Sequence, residues 1–516
     1  MNKMDARRKQ ILFLIYTFGF LILNYICSKL SIKTGGYLMV IALIFVCFFL
    51  PFFSFLPIAI EKPLRARISK GQIKNANGLW SVVFGYTLFT SVLLGIVMAL
   101  FVPSFAKEVL QLSSVSFCVP FFAPAFVFFA LSRALCVYFQ GKGSGLQTVI
   151  SSALIICFTV LFAYVFGNPL AQYGQKVADL MGNQEFKEQY FMTGLIVGLG
   201  VAAVITFIFL FFAFFLSVKE NSRNKNAIRQ TEHKIDSTRI FVANFFPYWF
   251  ATLMVLLPFM LSFVLFFERF EDKIAALKNL GTLLNEQYIP WAIFSLLIFS
   301  FVVLIVSQIS TWIKREEIRQ ARDGFRIGLV WVLMVSSFVA VCHIALGSWK
   351  VGLLFFGATF AYFFFTLLWQ GGKRRGALVS MFVSMVASMS VSFLMSGMLQ
   401  QVDNIIFIPA TVQLGTMAFC AGFFLIKHYR FTPDWLSGFA FPVLSSAISG
   451  LFMYLLSKAF GNDLGSVFLS LLIILLGAIV HIIICMALQC GNDHDMLNLP
   501  GGKLWIYIGN RLRLFR

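Results

Sequence analysis

Runs of about twenty apolar residues recur from one end of this chain to the other, and a helix of that length crosses the hydrocarbon core of a bilayer. Lipid offers no hydrogen bonds to the backbone, so each such run folds as a helix that satisfies its own N–H and C=O groups. The runs lie at 11–30, 36–60, 79–105, 115–139, 146–166, 192–218 and 240–267. A second set lies at 288–311, 325–346, 350–370, 376–399, 404–426, 438–458 and 464–489. The expectation is an all-α polytopic membrane protein of about fourteen transmembrane helices.

Composition agrees, with 59% hydrophobic and 12% charged residues, and no stretch is polar enough to form a water-soluble domain. A soluble domain carries about 25% charged residues. Arg7, Arg8 and Lys9 precede the run at 11–26, which is too long for a signal-peptide core and is read as a retained first span. The cysteines lie almost entirely inside apolar runs, without metal-ligand spacing or a disulfide framework, and read as small apolar packing residues.

Lysine and arginine concentrate in alternate loops, such as 65–74, 219–239, 314–326 and 373–375, and in the tail from Lys503 to Arg516. By the positive-inside rule these loops and both termini are expected in the cytoplasm, and the net charge of +20 lies on that face. A nucleic-acid binder concentrates its charge on a folded polar module. Here the charge is spread over short loops, so nucleic acid is excluded as a partner and anionic membrane lipids are expected at this face.

The loop 219–239 divides the spans into two sets. Gln140-Gly141-Lys142-Gly143 ends the fourth span and Gln370-Gly371-Gly372-Lys373 ends the tenth. Gln72-Ile73-Lys74-Asn75-Ala76 and Glu317-Ile318-Arg319-Gln320-Ala321 correspond in the same way. Six spans separate each pair, which predicts a parallel internal repeat, a common plan for transporters. Chance is the alternative, because glycine and lysine suit any cytoplasmic turn.

Several segments resemble a known family. The stretch from Pro120 to Ser151, centred on Val137-Tyr138-Phe139-Gln140-Gly141-Lys142-Gly143, is similar to the fourth-to-fifth-span signature of polysaccharide and peptidoglycan-precursor flippases. These belong to the multidrug/oligosaccharidyl-lipid/polysaccharide (MOP) exporter superfamily. Gly35-Gly36-Tyr37 through Lys74, Gln172-Tyr173-Gly174, the stretch Tyr190–Gly194 and the tail Leu497–Lys503 resemble its stage V sporulation protein B-like and MurJ-like, lipid II flippase branch. The resemblance implies two six-helix bundles around a central cavity plus two C-terminal helices. The domains then read 1–218, a linker at 219–239, 240–426, and 427–516 with the extra helices and a basic tail. It implies alternating access that moves a polyprenyl-diphosphate-linked saccharide, lipid II or a polysaccharide repeat unit, from the inner to the outer leaflet of a bacterial cytoplasmic membrane. Cell-envelope synthesis enzymes are the implied protein partners. No cofactor is expected, and the driving force is Na+, H+ or the membrane potential.

A diphosphate needs cations, and charge inside a membrane is costly enough to mark function. The substrate-binding candidates are Asn24, where the family carries an arginine, with Lys29, Arg65, Arg67, Arg133, Gln140 and Gln370. Each cation has a plainer reading as an anchor snorkelling to the interface. Asn244, Ser388, Thr411 and Gln413 are the nearest oxygen donors for a coupling ion, or simply interhelical hydrogen-bonding residues. His343 and His481 read as proton relays or as packing residues. Prolines at 51, 57, 103, 120, 124, 247, 258 and 442 are candidate kinks. No metal site, paired carboxylates or phosphate-cradling glycine loop is present, which argues against an enzyme. A drug/cation antiporter of the same superfamily and a noncatalytic scaffold in envelope assembly are the competing classes.

Overall fold

The computed structural model describes residues 47–108, 113–144, 146–183, 185–223, 236–268, 279, 302, 305–346, 348–395, 402–431, 436–460, 467–490 and 502–511. The expected first span with Asn24 and Lys29, and most of the eighth, lie outside the described residues. The described residues are helical without strands, and eleven of their helices are long and apolar enough to cross a membrane. The chain is an all-α polytopic membrane protein.

The chain divides into two compact units. The first holds α1 (Leu56–Ser69), α2 (Ile73–Glu108), α3 (Ser113–Gly141), α4 (Leu146–Met181) and α5 (Glu185–Arg223). Helix α6 (Ser237–Phe267) belongs to it as far as Leu256. The second unit takes Leu257–Phe266 of α6, then α7 (Ile318–Leu346), α8 (Trp349–Gln370), α9 (Arg374–Leu394) and α10 (Val402–Tyr429). It ends with α11 (Phe441–Ala459), α12 (Val467–Ala487) and a short α13 (Gly502–Arg511). The tight turn expected between α7 and α8 is present, and the Ser348 side chain caps α8 by accepting from the Val351 N–H.

Large apolar side chains point outward, among them Phe89, Phe212 and Phe419, while Ser and Thr collect between helices. That inversion suits lipid, where polar groups are costly outside and bind helices together inside. In the first unit α3 is central, with Phe126, Ala130, Ala134 and Val137 fully buried. Trp80 of α2 stacks on Phe214 of α5 at 4.5 Å and donates to Ala134 O, which ties three helices together.

Helix extends beyond the apolar runs. Between the runs at 146–166 and 192–218, α4 continues to Met181, 36 residues in all, and α5 starts at Glu185 and runs for 39. At 1.5 Å per residue these are about 54 and 58 Å long, well beyond the roughly 30 Å hydrocarbon core. Glycine joins the pair. A side chain at Gly194 would meet Phe166 O at 2.6 Å, at Gly198 Phe162 O at 2.8 Å, and at Gly174 Phe186 O at 2.8 Å. These backbone approaches need small residues, as in helix pairs of the small-xxx-small kind.

Prolines break one span and leave others intact. Before α1 the helix widens to a π-helical turn at Leu50–Ser54 around Pro51, and Pro57 follows without an N–H to donate. Pro103, Pro120 and Pro124 lie inside continuous helices.

The internal repeat is visible in hydrogen bonds. After α1, Gly71 N–H donates to Ile68 O, Gln72 N–H to Arg67 O, Ile73 N–H to Gly71 O and Ala76 N–H to Gln72 O. Before α7 the same four bonds run from Glu316 to Ile313, Glu317 to Trp312, Ile318 to Glu316 and Ala321 to Glu317. The turns after α3 and α8 match as well. Ser144 N–H reaches Phe139 O and Gly143 N–H reaches Gln140 O, as Lys373 reaches Leu368 O and Gly372 reaches Trp369 O. Both are Schellman caps, with Gly143 at φ +82° and Gly372 at φ +94° in the left-handed position. The caps put Gly141 against Gln370, so pairing Gln140 with Gln370 is one residue out of register.

Candidate functional site

The turns that end α1 and α3 bring the basic residues of the first unit together. On α1, Arg65 pairs with Glu61 at 3.4 Å, one helical turn back. Its guanidinium lies beside the α3 cap, 3.7 Å from where a side chain at Gly143 would begin. Gly141 admits α1 to that cap, because a side chain there would collide with Leu64.

Lys142 is held more firmly than sequence suggested. Its ammonium donates to Ser217 Oγ of α5 at 2.6 Å, has Ser217 O at 3.5 Å, and lies 5.1 Å from the centre of the Tyr138 ring. An ammonium has three donors, so one remains for a ligand. Beside it lies a small cleft of about 50 Å³, walled by Leu64, Ile68, Ile73 and Ala76 and edged by Asn77, Tyr138 and Lys142. Its walls are apolar, and Lys142 places a fixed cation at its rim.

Arg133 lies on α3 eight residues before Gly141, about 12 Å deeper along the helix. It donates to Ser54 O at 3.2 Å, a carbonyl at the π-helical break. The guanidinium thus braces a weak point in the span as well as placing a cation inside the unit. Its Nε is buried without a partner among the described residues.

The remaining candidates have local partners. Arg67 folds back to Pro63 O on its own helix. Gln140 serves the α3 cap through its carbonyl. Gln370 in the second unit accepts from Ser310 at 3.4 Å. Of the ion-coupling candidates, Asn244 lies in the first unit and donates to Ile240 O, one turn back in α6. The other three lie in the second unit. Ser388 donates to Pro409 O at 2.8 Å, Thr411 Oγ1 is buried without a partner among the described residues, and Gln413 O accepts from Thr416. No group of three His, Cys, Asp or Glu that could hold a metal ion occurs among the described residues.

His481 is built into a packing network. Its Nε2 meets Met334 O at 3.1 Å and its Nδ1 meets Ser445 Oγ at 2.9 Å. A carbonyl only accepts, so the proton sits on Nε2 and the ring ties α12 to α7 and α11.

Sequence reasoning quoted Lys142 within its motif without choosing it, and missed Ser217, Asn77 and Ser54. The signal for Lys142 was its place directly after Gly141 and one turn beyond Tyr138. Nothing in the sequence pointed to Ser217, 75 residues away along the chain, or to a backbone carbonyl.

No protein-family model matches the sequence, and no curated protein sequence does. Solved structures match in fold. A lipid II flippase, MurJ in an inward closed conformation, aligns with TM-score 0.56 and 16% identity, over 93% of this chain and 99% of that one. An outward-facing multidrug resistance MATE family transporter of the MOP superfamily aligns with TM-score 0.54 and 10% identity, over 83% and 95%. A eukaryotic MATE transporter aligns with TM-score 0.54 and 14% identity, over 83% and 98%.

Proposed function

From the MOP-superfamily transporter fold that this chain has, we propose that it is a flippase for a polyprenyl-diphosphate-linked saccharide. The observation that carries the reading is coverage. The flippase fold accounts for 93% of the chain, whereas each of the two drug-exporter folds accounts for 83%.

The mechanism follows from the first unit. Its basic turns face the cytoplasm by the positive-inside rule and meet the cargo's diphosphate where it is made. Lys142 and Arg65 attract the diphosphate at the rim, and the apolar wall of Leu64, Ile68 and Ile73 accommodates the first carbons of the tail. Arg133 provides a second cation about 12 Å further in. Alternating access then carries the headgroup across while the polyprenyl chain stays in lipid, breaking no covalent bond. Oxygen donors at Ser388, Thr411 and Gln413 are the place for a coupling cation if Na+ drives the cycle.

Native mass spectrometry of the purified protein with lipid II and a capsular repeat-unit lipid as competitors tests the reading. Selective retention of one polyprenyl-diphosphate sugar is the expected result, reduced by Arg65→Ala combined with Lys142→Ala. Retention of neither above a phospholipid background overturns it and favours a drug antiporter or a scaffold.

A further inference from the structure

The basic tail beyond α12 contains a helix, α13, with two different faces. Trp505 and Gly509 of α13, one turn apart, are buried, and Trp505 is only 6% exposed. Trp505 packs edge-on against Trp331 of α7 with ring centres 5.3 Å apart. The opposite stripe is Leu504, Tyr507 and Arg511, spaced by three and four residues; Leu504 and Tyr507 are 66% and 59% exposed. Arg511 donates to the Tyr507 hydroxyl and lies 5.8 Å from its ring centre, and Lys503 stands exposed near the start of the helix.

The depth of this helix follows from contacts within the second unit. His481 of α12 meets Met334 of α7, while Cys342 packs in one cluster with Ile473. The two helices are therefore antiparallel, and Trp331 is level with the last turn of α12. Helix α13 docks where that span ends. Beside it α12 presents Leu475, Ile479 and Ile483 outward, the apolar side chains of a lipid-facing surface. At that level an exposed leucine, an exposed tyrosine and two cations meet the boundary between acyl chains and headgroups.

We infer that α13 is an interfacial helix that binds anionic phospholipid headgroups through Lys503 and Arg511, with Leu504 and Tyr507 in the acyl boundary and Trp505 hinging it to α7. The sequence continues with Arg513 and Arg516, which add charge of the same sign. The inference rests on the membrane location of α12 and does not depend on the cargo.

Amide hydrogen exchange of the full chain in nanodiscs tests it, comparing phosphatidylcholine alone with phosphatidylcholine plus phosphatidylglycerol. Exchange across 502–511 is expected to slow several-fold when phosphatidylglycerol is present, with α7 and α12 unchanged. Lys503→Glu with Arg511→Glu should abolish most of that lipid dependence. Trp505→Ala should raise exchange in both lipids. Equal exchange in the two lipids, or full lipid dependence in the charge-reversed variant, overturns the inference. Quenching of a fluorophore placed on Leu504→Cys by bromine-labelled acyl chains gives a separate reading. Strong quenching agrees with insertion at the boundary, and none contradicts it even if the charge variants misfold.

Discussion

At the turn after α1 the backbone takes φ +73° at Gly71, and at the matching turn before α7 it takes φ +63° at Glu316. Four hydrogen bonds are shared, but the side chains they position differ in kind. The residue whose carbonyl closes the first turn is Arg67, and in the second it is Trp312, whose ring fills the space beside Gly324. The caps after α3 and α8 repeat the contrast. Lys142 holds the position that Gly371 holds in the second unit, where Tyr429 donates to Gly371 O at 2.9 Å. Arg65, which pairs with Glu61 and stands beside Gly143, corresponds to Ser310, which donates to Gln370. One backbone frame thus presents Arg65 and Lys142 beside a small cleft in the first unit, and Trp312, Tyr429 and the Ser310–Gln370 hydrogen bond in the second. The lesson is that repeated helices fix where the turns lie, while a few substitutions decide which side chains those turns present.

The contrast can be broken most severely at its glycines. Gly371→Ala places a methyl 2.8 Å from Leu367 O, which is backbone, and 2.9 Å from the Tyr429 hydroxyl, while Gly141→Ala meets only the Leu64 side chain. Overpacking against backbone should cost about 3 kcal/mol at position 371, and about 1 kcal/mol at 141 where Leu64 can turn away. Thermal unfolding of the purified variants measures both, and equal losses would remove the distinction.

The functional side of the contrast is next in size. Lys142→Ala should lower transport about tenfold, roughly 1.4 kcal/mol, whereas Lys373→Ala in the second unit should change it less than twofold. Initial rates in proteoliposomes decide this, and a larger effect at Lys373 would reverse the assignment of the basic rim.

Smaller effects sharpen the shared frame. Glutamate at a left-handed φ is strained by about 1 kcal/mol, so Glu316→Gly should stabilise the protein by up to that amount and Gly71→Glu should destabilise it similarly. Unchanged melting temperatures in both would mean the two turns are not conformationally equivalent. Tyr429→Phe removes one hydrogen bond to Gly371 O and should cost about 0.5–1 kcal/mol, measured in the same way.

The spans were legible because lipid demands length and apolarity, and both are written directly in residues such as those of 325–346 and 438–458. The extension of α4 and α5 through 167–191 was not. That segment is more polar than a span, and within it the two helices pack closely where Gly174 meets the backbone at Phe186 and Lys187. Arg65 was legible as a cation at a span end. Its setting was not, since the Gly143 cap that receives it comes from another helix. Arg133 was legible as a charge within a span, but its partner is a carbonyl exposed by a π-helical turn, which side-chain patterns do not reveal. The repeat was visible in sequence, and hydrogen bonds were needed to correct its register by one residue.

The most direct test of the account is translocation itself. Purified protein in liposomes is loaded with a fluorescent polyprenyl-diphosphate saccharide, and arrival of the headgroup on the opposite leaflet is followed with a membrane-impermeant quencher. The account predicts transfer well above protein-free liposomes, reduced about tenfold in Lys142→Ala. Transfer no faster than in protein-free liposomes, with export of a cationic drug in its place, would contradict it.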